Sequence, residues 1–509
     1  MQADSLVELS DIFCDDLPST ALIDAGRILV SGASGYIGGR LVPELLHRGY
    51  KVRAVVRGDT LTYKNIWPQA QIVRSDALNK EEMRSALSGI DSAYYLIHSL
   101  HLGPKEFRKA DIKAAGNFRE AAQEQGVKRI IYLGGLGDVR IRLSSHLRSR
   151  AEVARELKKG DVPVTALRAA VIIGSGSASY EIIKHLAMKL PLILIPSWAK
   201  NKCQPIGVRD VIKYLVGALE IPQTRGRSFD IGGKDVLTYE EMLKAFTHLL
   251  RKKTIFLDFP FIPLKVYAYF ASLFTPVPHS ISRCLMEGLQ NEVICYDNSI
   301  KDYLSFEPLS YREQIVRALS REEQDRVSTR WSDAYHPYYE LALKLHEVKQ
   351  PVTYRVSYSL VTEKEADKLF RSFCRIGGRR GWFYYNWLWR LRGTIDRILL
   401  GVGAIRGRKS YSRLKINDVV DFFRVEEIQE DKRLLLRAEM KIPGRAWLEF
   451  NIKEEQGKRK LSVIAYYNTQ SLLGKVYWYV CLPLHHFLFR KLLTGIEGKA
   501  KKKTELASP

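Results

Sequence analysis

The chain has 509 residues, 80 Lys+Arg against 56 Asp+Glu, and a formal net charge of +24. At 46% hydrophobic and 27% charged residues the composition is globular, which excludes a wholly disordered or fibrous chain and predicts about three folding units. The charge leaves nucleic acid, an anionic membrane surface or phosphorylated ligands as partner classes, and composition alone does not choose among them.

Residues 1–25 form a polar extension. Asp4, Glu8, Asp11, Asp15 and Asp16, with no basic or apolar region, predict that it is not a signal peptide. Arg27–Ser31 is predicted as a buried strand running into Gly32-Ala-Ser34-Gly35-Tyr36-Ile37-Gly38. A helical pattern follows, stopping at Gly49, and then a second strand, Lys51–Arg57. In such a unit Gly32 permits the tight turn, Gly35 the approach of a pyrophosphate to backbone amides, and Gly38 close helix–sheet packing. The helix N-terminus turns its positive dipole end to the phosphates. Arg57 stands where NAD enzymes usually carry an acid, and a guanidinium suits a 2′-phosphate; NADP is therefore expected, with NAD the alternative.

Further strands are predicted at Gln71–Asp76, Ser92–His98, Arg129–Gly135 and Val162–Arg168, with a helix over Phe107–Glu124. Asp76-Ala77 closes the third strand where a side chain meets an adenine. Tyr94, Tyr95, His98 and His101 lie near the C-terminal edge of the fourth, as substrate contacts or core; because side chains alternate, Tyr94 or Tyr95 is expected in the core. Strands separated by helices imply a parallel, doubly wound α/β sheet.

These residues, from Ser31-Gly-Ala-Ser-Gly-Tyr-Ile-Gly38 to Cys203–Val211 and Phe229-Asp-Ile-Gly-Gly233, resemble the atypical (NmrA-like and extended) short-chain dehydrogenase/reductases over roughly residues 26–300. The resemblance implies a Rossmann fold and an NAD(P)-dependent oxidoreductase, with Gly32, Ser34, Gly35, Tyr36, Ile37, Gly38, Arg57, Asp76, Ala77 and His98 at the cofactor. The family's Tyr-x-x-x-Lys pair is missing: the same register holds His146-x-x-x-Arg150, and Gly134-Gly135 replaces the expected serine. Either His146 is a general acid or base with Arg150 holding ribose or phosphate, or both only position the loop over the cofactor.

Residues 26–240 are thus expected as the nucleotide-binding domain and 241–345 as a helical substrate lobe and linker. In that lobe helices are predicted at Glu240–Lys252, Leu264–Phe274, near Pro278–Leu289 and at Tyr311–Arg321. Ser328–Pro337, with Trp331, Tyr335 and His336, is expected as linker. Over 350–500 the pattern changes to a strand (352–361), a helix (363–374), four strands (418–427, 433–440, 446–453, 460–469) and a last helix from about Pro483 to Lys499. This order resembles the α+β helix-grip fold of the START and SRPBCC group, and implies a curved sheet closing on the last helix around an apolar cavity. Gly377–Gly393, Gly401–Arg408 and Ala438–Leu448 also resemble the uncharacterised domain that follows atypical reductases in bacteria. Residues 501–509 are a basic tail.

Residues 351–509 hold 32 Lys+Arg against 16 Asp+Glu, most of the charge excess. Between Arg371 and Lys415 twelve Lys/Arg accompany one acid, Asp396, and interleave with Trp382, Phe383, Tyr384, Tyr385, Trp387 and Trp389. That composition suits a peripheral membrane surface, a single-stranded nucleic acid, or a core patch with a basic rim. No RNP, KH or helix-turn-helix signature favours nucleic acid. Six scattered cysteines without CxxC predict a reducing, cytoplasmic setting, with contact at the inner membrane the alternative. The two readings of the whole are an oxidoreductase acting on an apolar or amphiphilic small molecule and an NADP-dependent sensor or scaffold. Oligomeric state is left open.

Overall fold

The computed structural model describes residues 13–58, 60–99, 107–137, 143–320, 329–333, 345, 352–404, 406, 414–455 and 457–500. The basic tail, His101, Tyr335, His336 and residues 405 and 407–413 of the basic segment lie outside them. The chain divides into two compact units: Met1–Ala271 with His279–Pro337, and Ser272–Pro278 with Tyr338–Pro509.

The first unit is built on strands β1 (Arg27–Ser31), β2 (Lys51–Val56), β3 (Gln71–Arg74), β4 (Ser92–Tyr95), β5 (Arg129–Gly135) and β6 (Val164–Ala169), completed by Ser228–Ile231. All pair in parallel, in the order Ser228–Ile231, β6, β5, β4, β1, β2, β3. Helices α1 (Gly38–His47), α2 (Thr60–Ile66), α3 (Lys80–Leu87), α4 (Phe107–Glu124) and α5 (Ser145–Leu157) connect them. This is the doubly wound α/β sheet, and strand order reverses between β1 and β4, the crevice where such sheets take ligands.

Both faces of the sheet are covered. Ile28, Val30 and Tyr94 pack on one side; Leu29, Tyr95, Tyr132 and the alanine-rich face of α4 pack on the other. Tyr94 and Tyr95 are therefore both core residues, because alternation only sends them into two different cores. Beyond the sheet, helices Tyr239–Leu249, Leu264–Phe274, His279–Gly288 and Tyr311–Leu319 follow the predicted pattern, and Val208–Glu220 is a further helix that the sequence reading did not name. Thr238 and Ser310 start two of these with reciprocal capping boxes to Glu241 and Glu313. Segment 272–278, expected within the helical lobe, belongs to the second unit: buried Arg397 donates to the carbonyls of Thr275 and Val277.

The second unit is a six-stranded antiparallel sheet in the order Tyr354–Thr362, Lys458–Asn468, Arg445–Glu455, Arg433–Ala438, Phe423–Gln429, Val419–Val420. Leu436, Phe450, Leu461 and Val463 of the sheet share one core with Leu369 and Phe373 of helix Ala366–Phe373. Phe489, Leu492 and Ile496 of the last helix join the same core. That helix runs Leu472–Gly498, eleven residues earlier than expected from Pro483. Ser471 caps it by accepting from the Gly474 amide at 3.0 Å, and Pro483 sits inside, where it removes one backbone hydrogen bond without ending the helix. No described helix is long and apolar enough to cross a membrane.

Candidate functional site

The glycine turn leaves β1 at the switch point. Gly32 has φ +69°, and a Cβ there would lie 2.8 Å from the Leu96 carbonyl oxygen. A Cβ at Gly38 would stand 2.3 Å from the Gly32 carbonyl oxygen and 2.8 Å from Ala33 Cα, so α1 packs against the turn only as glycine. The Gly35 amide donates to Gly32 O at 2.9 Å, and Ile37 carries the entry into α1 without a side-chain cap. Gly32, Ser34, Gly35, Tyr36 and Ile37 are partly exposed along the lip, while Gly38 is buried beneath.

Arg40 fixes this turn. Its guanidinium stacks 4.2 Å over the Tyr36 ring and donates to Thr329 O at 3.1 Å and Ser175 O at 2.9 Å, while Thr329 Oγ1 donates to Tyr36 O at 3.0 Å. Arg57, at the end of β2, is half-buried; burial draws its guanidinium below the usual value, and Asp76 and Tyr63 pull the other way. Asp76 Oδ1 accepts from the Leu78 amide at 3.0 Å, and Asn117 Nδ2 donates to Ala77 O at 2.9 Å, so α4 holds the turn after β3. The turn, the dipole end of α1 and Arg57 fit a dinucleotide: the turn keeps its tight shape only because Gly32 and Gly38 carry no Cβ to collide with its backbone and that of Leu96. Gly38→Ala is expected to abolish dinucleotide binding in a ligand titration and to cost about 1–3 kcal/mol in a thermal melt through overpacking.

Across the crevice stands a second constellation. His98 follows β4, and His146 and Arg150 lie one turn apart on α5, capped by Ser144. His98 Nε2 and His146 Nε2 are 3.1 Å apart, and His98 Nδ1 is 3.3 Å from Asp111 Oδ2. Asp111, on α4, also accepts from Arg150 Nη2, from Ser149 Oγ at 3.3 Å and from the Ser99 amide at 2.9 Å. Arg150 Nη1 donates to Ile97 O at 3.3 Å, and its carbonyl accepts from Tyr132. The structure therefore brings His98, His146 and Arg150 together around a carboxylate, and the contacts of the Arg150 guanidinium are to Asp111 and Ile97.

Burial works against the Asp111 charge, but Arg150, His98 and the Ser99 amide outweigh it and hold the carboxyl below the usual range. Burial, helped by Arg150, brings His98 down to about 4 against the pull of Asp111; burial, His98 and Arg150 depress His146 further. Both imidazoles are thus neutral near pH 7. An ionised Asp111 only accepts, so the His98 proton sits on Nδ1. His98 Nε2 then accepts from His146 Nε2–H, which leaves Nδ1 as the basic nitrogen of His146. Because His98 binds its proton less readily folded than unfolded, stability is full above about pH 6.5 and falls as pH drops toward 4. A calorimetric midpoint for the first unit that stays level across that interval would contradict this protonation state.

His98, His146 and Arg150 line one wall of a cavity of about 350 Å³ in the first unit. Tyr36 and Trp331 also line it, and Leu96, Leu133, Ile182, Ile183, Leu285 and Leu289 make it predominantly apolar. Three side chains of this candidate site lie beyond sequence reasoning. Asp111 was hidden in an apolar helix face, and Thr329 and Trp331 sit in a stretch that reads as linker. Only an acid on the buried register of α4, between Phe107 and Ala114-Ala115, signalled the first.

The family model for the NmrA-like family matches residues 24–323, and a second, described as a protein of unknown function (DUF2867), matches residues 350–492. The chain is 31% identical over 122 residues to a 3-beta-hydroxysteroid dehydrogenase of Mycolicibacterium neoaurum, covering 22% of this chain and 33% of that protein. It therefore spans about a third of that relative. To the photosystem II assembly factor Ycf39 of Trieres chinensis it is 21% identical over 249 residues, 48% of this chain and 76% of that one. Among solved structures, the triphenylmethane reductase of Citrobacter sp. complexed with NADP(H) matches at 16% identity and a TM-score of 0.48, over 58% of this chain and 100% of that one.

Proposed function

The chain belongs to the NmrA-like family of NAD(P)-binding, atypical short-chain dehydrogenase/reductases, and on that premise we propose that it is an NADP(H)-dependent oxidoreductase of apolar alcohols or carbonyls. The observation that carries the reading is the apolar cavity lined by His98 and His146, with Asp111 hydrogen-bonded to His98 and Tyr36 of the glycine turn in the same lining. Ser34–Ile37 and the start of α1 would hold the diphosphate, Arg57 the 2′-phosphate, and the Asp76-Ala77 turn the adenine. Half-buried Arg57 favours NADP over NAD, since an added anion offsets what burial costs the cation. The cofactor, when bound, supplies or accepts a hydride.

The chain's own residues manage the proton. His146 Nδ1 takes it from a substrate hydroxyl in oxidation, and the imidazolium returns it to a carbonyl oxygen in reduction. His98 accepts the Nε2–H throughout, and Asp111 sets the His98 tautomer. Arg150 acts through Asp111, as a positioning residue. Leu133, Ile182 and their neighbours exclude water and select an apolar substrate. Six free cysteines support a reducing, cytoplasmic setting.

The test is NADPH oxidation against apolar ketones and aldehydes, and NADP⁺ reduction with the corresponding alcohols. His146→Ala is expected to lower turnover about 10²–10⁴-fold with NADPH affinity unchanged. The absence of tyrosine and lysine at 146 and 150 favours a second reading, an NADP-dependent sensor. That reading prevails if NADPH binds but His146→Ala leaves whatever turnover is found unaltered, or if no substrate is turned over.

A further inference from the structure

The last helix has two halves with opposite settings. Its C-terminal half buries Phe489, Leu492, Leu493 and Ile496 in the core of the second unit. Its N-terminal half turns Leu473, Val476, Val480, Leu484 and Phe487 outward; their spacing of three and four residues puts them on one face, and Leu473 is 75% exposed. The opposite side of the same half carries Trp478, buried against Tyr354 and Tyr467. This half of the helix is therefore apolar on two opposite sides, one packed in the unit and one facing outward with Lys475 and His486 beside it, a pattern that calls for apolar surroundings on the outward face as well.

Helix Asn386–Ile398 adjoins it, with Arg392 beside Tyr477 and Cys481. It exposes Trp387, Leu391 and Ile395 at four-residue intervals. Among the described residues, the exposed charges of these two helices are all cationic. Arg380, Arg390, Lys475, Arg490 and Lys491 are exposed, residues 472–496 contain no acid, and Asp396 is buried, accepting from the Gly403 amide at 2.7 Å and the Lys441 amide at 2.6 Å. A second copy laid on this face would set cation against cation. A surface both apolar and anionic complements it, with Trp387 and Tyr479 at the depth where aromatic side chains collect.

We propose that the outward faces of helices Leu472–Gly498 and Asn386–Ile398 dock the protein on an anionic lipid bilayer, lying in the interface without spanning it. The full chain is expected to float with phosphatidylcholine vesicles that contain phosphatidylglycerol, and at least about tenfold less with phosphatidylcholine alone or at high salt. The double variant Val476→Asp, Val480→Asp places charges on exposed positions and is expected to lose flotation at least about tenfold, with its melting profile and NADPH binding unchanged. A second variant, Trp387→Glu, is expected to weaken it in the same direction.

Three results would overturn the proposal. One is equal flotation of wild type and variants. Another is a dimer in light scattering that the double variant dissociates while the wild type ignores vesicles. The last is salt-sensitive binding of a single-stranded oligonucleotide with no vesicle binding.

Discussion

Asp111→Asn is expected to lower turnover about 10²–10³-fold and to destabilise the first unit by about 3–5 kcal/mol. The carboxylate is 1% exposed and gathers Arg150, His98, Ser149 and the Ser99 amide. Asparagine keeps the shape and one acceptor but presents an N–H either where His98, Ser149 and Arg150 converge or where the Ser99 amide donates. Arg150, itself buried, loses its ionic partner, which is the costly way to break a buried pair. His98 loses the acceptor that fixes its proton on Nδ1, so the His146 tautomer is no longer defined. A purely structural role for Asp111 predicts the stability loss alone, measured by urea unfolding. The catalytic chain predicts more: at temperatures where the variant is fully folded, kcat falls while NADPH affinity, read at the glycine turn, does not. Ser149→Ala, which removes one contact to Asp111 and leaves the charge, supplies the mild comparison.

What the sequence reveals of this site follows from range. The glycine turn is local: three glycines between a strand and a helix announce their own geometry, and a Cβ at Gly32 or Gly38 meets backbone atoms as the spacing implies. Strand and helix alternation is equally local, so the sheet and its switch point are legible. His146 and Arg150 stand out because they occupy a register where the family pattern has other residues. Asp111 does not, because it lies 35 residues upstream of His146 on a helix whose apolar face it merely interrupts; only folding brings it to His98. The Thr329–Arg40 contact joins residues 289 apart, and no pattern within either segment points to the other. Proline misled in the opposite direction: Pro483 has the residue type of a helix start, yet Ser471 supplies the cap and the apolar spacing continues through it.

The basic character of the second unit contains an internal part that composition could not separate from the surface. Glu439 is 1% exposed; its Oε1 accepts from Arg424 Nε and its Oε2 from Arg406 Nη1, each at 2.6 Å, and Arg437 Nη2 stands 3.6 Å away. Several of the cations that make this half so positive are thus organised around one buried carboxylate. Burial opposes that charge, yet Arg424, Arg406 and Arg437 hold the Glu439 carboxyl far below the usual range. A carboxyl depressed in the folded state adds stability above its unfolded value, near pH 4.5, and that stability is lost as pH falls toward its folded value. Glu439→Gln is expected to destabilise the second unit by about 3–5 kcal/mol at neutral pH, because buried Arg424 and Arg406 then lose the carboxylate they share. It should also flatten the acid-side slope of that unit's unfolding midpoint, while a titration of the first unit with NADPH stays unchanged. Equal acid slopes in wild type and variant would mean that the arginines, and not the carboxylate, adjust their surroundings as the pH falls.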